Sequence, residues 1–349
     1  MLGDKTSAAT GSGRTPDKEQ SGVSTTSRQP QPTWWRRILA RREFVTVLLL
    51  IVAFIISSRL SPFFLDVQYM FDATSLYMEI GVMALAMTFV IISGNIDLSV
   101  GSMLALVAVS FGLMYRQLHL PLELAIVLAL FQGWTLGLIN GLIVTSFKLP
   151  PMIVTVGTLA LYRGLAQVLL GDHAVTGFPE SFYGLDMRYV GNTPIPYPLV
   201  IFLILAVIFG LVLHRTSFGR TVFAVGTNQD AARFSGIAAD RVKVICFTLS
   251  GLMAALAGLM MSSRLASARY DMATGWELDV ITAVVLGGTD INGGVGSILG
   301  TVLALFLVGI LRSGMGLANV KIEYQLIVIG SLLILSIIIP NIIRRFRKA

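Results

Sequence analysis

Ten stretches of this chain are apolar enough, and nearly all long enough, to cross a bilayer as helices: 44–65, 76–93, 98–115, 120–145, 151–170, 198–214, 244–263, 280–288, 295–311 and 322–343. A crossing helix needs about 20 mostly apolar residues to traverse roughly 30 Å of hydrocarbon, and every backbone polar group must be paired inside the segment. The sequence therefore dictates an all-α polytopic membrane protein with about ten transmembrane helices. The eighth stretch is too short alone and must borrow from its flanks. Composition agrees, since 55% of residues are hydrophobic and 13% charged, whereas soluble domains carry about a quarter charged residues.

Charge is concentrated at the ends. Residues 1–43 hold eight Lys/Arg against four acids, and Arg344, Arg345, Arg347 and Lys348 close the chain, leaving the body near neutrality. A nucleic-acid binder would spread its basic residues over a contact face, so this pattern excludes that class and points to membrane orientation. Residues 1–43 read as a disordered basic cytoplasmic tail, its first 32 residues almost without large apolar side chains, 44–343 as the transmembrane domain and 344–349 as a basic cytoplasmic tip. No apolar run precedes Phe44, so the first span reads as uncleaved. An even span count puts both ends on one side, where basic residues collect. The loop 215–243 falls on that side with Arg215, Arg220, Arg233, Arg241 and Lys243. The opposite side receives Asp172, Glu180, Asp186, Asp271, Glu277 and Asp279. Eight spans would satisfy the same parity.

Enzyme chemistry finds no support. No Lys follows a Gly, which removes the phosphate-binding loop G-x-x-x-x-G-K-[ST], and neither G-x-S-x-G nor H-E-x-x-H occurs. Cys246 is the only cysteine, and His119, His173 and His214 lack ligand spacing, so no metal site is expected.

One segment echoes another. GNIDLSVGSMLALV (94–107) and GGTDINGGVGSILGTVLAL (287–305) align as G-x-x-D, an aliphatic residue, V-G-S and an apolar run, with two extra residues in the second copy. Both lie between consecutive spans, as in a duplicated half with a weak internal repeat. The alignment pairs Asp97 with Asp290. Either these acids cap the following helices, or Gly94, Gly287 and Gly288 break the helices and expose Asn95, Asp97, Ser99, Asp290 and Asn292 to a polar pathway.

In LPPMIVTVGTLALYRG (149–164), Pro150 and Pro151 sit at a helix start, where a missing amide is harmless. Thr155, Thr158 and Tyr162 follow at helical spacing; they serve helix packing or line a path for a polyhydroxylated solute. Arg163 needs a partner such as Glu79 or another acid. In the large basic loop, Thr227 or Asn228 caps about two helical turns that Gly236 ends. Ala231, Ala232 and Phe234 would give this knob an apolar surface rimmed by Arg233 and Asp230. It is either a solvated loop helix or a dock for another protein.

The blocks ISGNIDLSVGSMLAL, KLPPMIVTVGTLALYRGLA, GRTVFAVGTNQDAARFSGI and ITAVVLGGTDINGGVGSILGT, in this order within 44–344, resemble the sugar-type permease subunits of bacterial ABC importers. That family serves ribose, xylose, arabinose, rhamnose and the autoinducer sugar derivative. The resemblance implies a multi-pass inner-membrane transport subunit, not an enzyme, with both termini cytoplasmic. It implies a homodimer, or a heterodimer with a sister permease, embedded in lipid, with cytoplasmic ABC ATPase subunits and a soluble sugar-binding protein. No cofactor is expected in this chain, ATP being used by the partner ATPase. Asn228, Gln229, Asp230, Ala231, Ala232, Arg233, Phe234, Ser235 and Gly236 match the helix that couples to the ATPase. GNID departs from the usual double-Gly form at Asn95. The alternatives are a nucleoside or branched-chain amino acid ABC permease, a gradient-driven secondary transporter, or a membrane scaffold.

Overall fold

The computed structural model describes residues 42–183 and 188–348. The expected tail, apart from its last two residues, lies outside them, as do Asp186 and Ala349. Fourteen α-helices follow in order: α1 (Arg42–Leu60), α2 (Val67–Ser75), α3 (Met78–Ile92), α4 (Val100–Arg116), α5 (Leu122–Ser146), α6 (Pro151–Leu170), α7 (Glu180–Tyr183), α8 (Tyr197–Arg215), α9 (Ser217–Thr227), α10 (Gln229–Phe234), α11 (Ala239–Leu265), α12 (Trp276–Leu286), α13 (Ile298–Leu317) and α14 (Ile322–Lys348). The two-residue strands β1 (Val175–Thr176) and β2 (Ser267–Ala268) pair antiparallel.

Every expected span holds a helix, with instructive departures in length. Five helices, α5, α6, α8, α11 and α13, are individually long and apolar enough to cross a membrane, and α2 with α3 forms one bent pair at 55°. Residues 45–60, α4 and residues 322–335 are shorter apolar helices. Ser61 is extended ahead of Pro62, which ends the first helix at Leu60 and starts a 3-10 turn, Pro62–Leu65. The eighth stretch forms an 11-residue helix, α12. At 1.5 Å per residue that is about 16 Å, half a crossing.

All fifteen residues of α3 are buried, so its sequence, apolar all round apart from Glu79 and Thr88, is that of an interior helix. α11 packs along α5 through Gly133, Gly137 and Gly141, which recur every fourth residue on one α5 face. A methyl on Gly133 would lie 2.5 Å from the Gly251 carbonyl oxygen, and one on Gly141 2.8 Å from the Val244 Cα. This small-residue spacing lets two backbones touch in a medium that gives no hydrophobic drive. The outer faces of α5, α6 and α8 expose Val127, Phe131, Ile153, Leu161, Ile204 and Val207, as acyl chains require.

The connections sort into two ends. One end gathers residues 93–99, 147–150, α9–α10 and 287–297, held together by Gly294 N–H donating to the Ile92 carbonyl (2.8 Å) and by a cleft lined with Lys148, Gln229, Arg233 and Lys243. The other gathers 61–66, 117–121, β1, α7, β2 and 318–321, where Ser263 Oγ donates to the Phe182 carbonyl (2.6 Å) and Tyr69 to that of Ser313 (3.4 Å). This alternation is the one the ten stretches require.

Candidate functional site: two helix breaks and a buried polar network

The two glycine-rich breaks use one geometry. After α3, Gly94 is left-handed (φ +79°), its N–H reaching the Ile91 carbonyl and the Asn95 N–H that of Val90. After α12, Gly288 is left-handed (φ +89°), with the Gly288 N–H on Val285 and the Thr289 N–H on Val284. Both are Schellman caps, which suit glycine because a Cβ disfavours positive φ. The equivalent of Gly94 is therefore Gly288, not Gly287, and the sequence alignment is displaced by one residue. Asp97 lies three residues past its cap glycine and Asp290 two. Neither acid caps a helix. Asp97 accepts from Ser99 N–H (3.0 Å), and Asp290 from Asn292 N–H (3.2 Å), each folding a local turn. Ser297 instead caps α13, accepting from Gly300 N–H at 3.0 Å.

Asp97 is fully buried. Its Oδ1 accepts from Ser99 N–H and Ser99 Oγ (2.6 Å), and its Oδ2 from Ser250 Oγ of α11 (2.8 Å). Ser99 Oγ in turn accepts from Asn140 Nδ2 of α5 (2.8 Å), and Asn140 Oδ1 accepts from the Tyr162 hydroxyl of α6 (3.0 Å). Thr155 Oγ1 is 3.2 Å from the Ile96 carbonyl and 3.0 Å from that of Pro151. Four elements are thus tied to one carboxylate. Burial without such donors would cost several kcal/mol, on the order of the penalty for an unpaired polar group in hydrocarbon.

Of the expected pathway residues, the fold brings Asp97, Ser99, Thr155 and Tyr162 together inside the helix bundle. Asn95 and Thr158 are buried beside them: Asn95 Nδ2 donates to Ser93 Oγ (2.8 Å), and Thr158 faces inward on α6. Asp290 and Asn292 lie apart, half-buried and exposed respectively, in the second break. The sequence reading missed Asn140 and Ser250, although a lone amide in the apolar run of α5 was a signal. Arg163, for which Glu79 or another acid is the expected partner, donates through Nη1 to the carbonyls of Tyr270 and Met272, and buried Glu79 pairs instead with Arg264 (2.7 Å). Outside the spans, the Arg269 guanidinium hydrogen-bonded to Asp271 holds that carboxyl below its ordinary value.

The short helix in the basic loop is α10. Asn228 caps it, accepting from Ala231 N–H at 2.9 Å, and Ser235 Oγ returns to the Ala231 carbonyl (2.9 Å) before Gly236 turns left-handed at φ +82°. Asp230 lies exposed in its first turn. Phe234 is 93% exposed. Ala232, expected on the outer surface, is buried at 4%, because the helix must turn one side onto the body; the exposed apolar surface is Ala231 with Phe234. Arg233 pairs with Asp240 (2.6 Å), and Lys243 donates to Gln229 (2.7 Å), clasping α10 to α11.

Interrupted helices, a polar centre inside an apolar bundle and a projecting helical knob at one end define a polytopic membrane transport subunit. The comparisons specify it: residues 69–337 match the family model described as the branched-chain amino acid transport system / permease component, and the chain belongs to that permease family. It is similar to the autoinducer 2 import system permease protein LsrD of Photorhabdus temperata, at 36% identity over 85% of this chain and 90% of the relative. It is likewise similar to LsrD of Escherichia coli K12, at 37% over 85% and 91%. No solved structure gives a significant match. The chain is thus a permease subunit of an ABC-type import system, a multi-pass inner-membrane transport subunit and not an enzyme.

Proposed function

We propose that this chain, paired with a second copy or a sister permease, forms the membrane path of an ATP-driven importer for a monosaccharide or sugar derivative, of the pentose or deoxyhexose class. The observation that carries the reading is α10: a capped helix with an exposed aromatic tip, clasped to the body and set at the end where the basic loop lies. In this reading the α10 end and both termini are cytoplasmic, by the bias of Lys and Arg to that side. Phe234 and Ala231 seat in a groove of a separate ATPase, which holds the ATP. This chain binds no cofactor. A soluble binding protein delivers the solute at the opposite end and sets most of the specificity. Asn95, Asp97, Ser99, Asp290 and Asn292 act as polar helix breaks, and Thr155, Thr158 and Tyr162 hold the first break in place. The similarity to autoinducer 2 permeases supports the sugar-derived solute, and the family description favours a branched-chain amino acid as the second reading.

The test is purification of the tagged chain in mild detergent, with mass spectrometry of stoichiometric partners. Uptake is then competed with unlabelled pentose, deoxyhexose, autoinducer 2, nucleoside or leucine. A co-purifying ATPase and competition by a sugar are expected. Competition by leucine alone would favour the second reading, and uptake that persists without the ATPase but collapses with the proton or sodium gradient would refute both.

A further inference from the structure

Behind α10 three segments meet through backbone alone. Gly226, two residues before the α10 cap, has no room for a Cβ: a methyl there would overlap the Ile92 carbonyl oxygen and lie 2.6 Å from Gly294 N. Ile92 ends α3, and its carbonyl is the acceptor for Gly294 N–H of the second break. A methyl on Gly293 would lie 2.9 Å from Gly94 Cα and 3.0 Å from the Gly226 carbonyl oxygen, and one on Gly294 3.0 Å from Thr227 Cα. The start of α9 is seated on α3 as well, with Phe218 stacked on Phe89 at 6.1 Å. Close-packed backbones transmit displacement because nothing between them can compress. The polar ties of α10 to α11, Arg233 to Asp240 and Lys243 to Gln229, run through long, partly exposed side chains that can follow a movement without passing it on.

We infer that the Gly226–Ile92–Gly294 junction makes α9, α10 and the two helix breaks one rigid piece, delivering any displacement of α10 to the network around Asp97. This rests on the reading of α10 as the ATPase dock. The chain carries its own reporter: Cys246, fully buried on α11 one turn before Ser250, whose hydroxyl donates to Asp97 of the first break. Movement of that break uncovers Cys246.

The experiment measures alkylation of Cys246 by N-ethylmaleimide in membranes holding the full complex, without nucleotide and with Mg-ATP plus vanadate. In the native chain nucleotide is expected to change the rate by about tenfold, within the usual range of allosteric coupling. Gly226→Ala should expose Cys246 without nucleotide and lose the nucleotide response, while the ATPase still co-purifies. Gly316→Ala, whose methyl meets nothing within 4 Å, should behave as native. Should Gly226→Ala fail to insert, Gly294→Ala replaces it: its methyl would lie 2.7 Å from Thr227 Oγ1 and 3.0 Å from Thr227 Cα at a left-handed position (φ +74°), a looser contact than that of Gly226 with the Ile92 carbonyl, and it should also raise labelling. A native nucleotide response in Gly226→Ala, or native protection of Cys246 in the glycine variants, overturns the junction. Absence of an ATPase from the native preparation fails the docking reading instead, and labelling of Gly226→Ala without nucleotide still decides the junction.

Discussion

Of two buried serines on α11, only one should lose stability on replacement by alanine. Ser250 is 1% exposed and Ser262 is 0%, so side-chain removal changes burial equally little at either site. Ser250 Oγ is the donor to Asp97 Oδ2 at 2.8 Å, whereas Ser262 Oγ has no partner among the described residues. Losing a hydrogen bond to a buried charged acceptor costs about 1.5–3 kcal/mol, since the oxygen left behind keeps its desolvation penalty. Ser250→Ala should lower the unfolding free energy by that amount, and Ser262→Ala should leave it unchanged or raise it by up to about 1 kcal/mol by deleting an unsatisfied hydroxyl. The assay is equilibrium unfolding in mixed detergent micelles, following intrinsic tryptophan fluorescence. Repeating Ser250→Ala in an Asp97→Asn background removes the charge, and the loss should shrink by about 1 kcal/mol, a coupling that only a direct interaction produces. Equal effects of the two serine variants, or strict additivity with Asp97→Asn, would refute the network as drawn.

Other perturbations address the packing and the knob. Gly137→Val should abolish recovery of monodisperse protein in size-exclusion chromatography, because its side chain would press on the backbone at Thr248 and Gly251. Glu79→Gln should destabilise by about 3 kcal/mol in the same unfolding assay by leaving Arg264 unpaired, and Glu79→Met with Arg264→Met should recover most of that loss. Phe234→Asp should eliminate ATPase capture and uptake while leaving yield and unfolding native, since the ring touches little of its own chain; a native level of both would refute the docking of α10.

What the sequence showed follows from how local each constraint is. The hydrocarbon requirement acts on consecutive residues, so the positions of the ten helices were legible, and so was the capped knob, whose signals Asn228 and Gly236 stand within one short segment. Pairings distant in sequence were not. Glu79 meets Arg264 and Asp97 meets Ser250 only after α11 has packed against α3 and α5, and no local pattern announces the partner. Thr155, Thr158 and Tyr162 show the same limit. Their spacing placed them on one face, yet not which way it turns. The structure turns it inward because α6 presents Met152, Ile153, Val156 and Leu161 outward, and hydroxyls left against lipid would lack partners.

The displaced register of the two breaks has a physical origin. Aligning on Asp gave weight to the chemically conspicuous residue, whereas the backbone is organised by the residue that must take positive φ. Gly94 and Gly288 stop their helices with identical hydrogen bonds, but the first chain reaches its acid after three residues and the second after two. That one residue sends Asp97 into the bundle, where Ser99 and Ser250 satisfy it, and leaves Asp290 in a half-buried turn beside exposed Asn292. The extra residues of the second break, Gly293 and Gly294, then lie across Gly94 and Gly226 instead of entering the interior. Two segments that look like copies therefore divide the work: one carries the buried carboxylate, and the other supplies the backbone that braces it against α9.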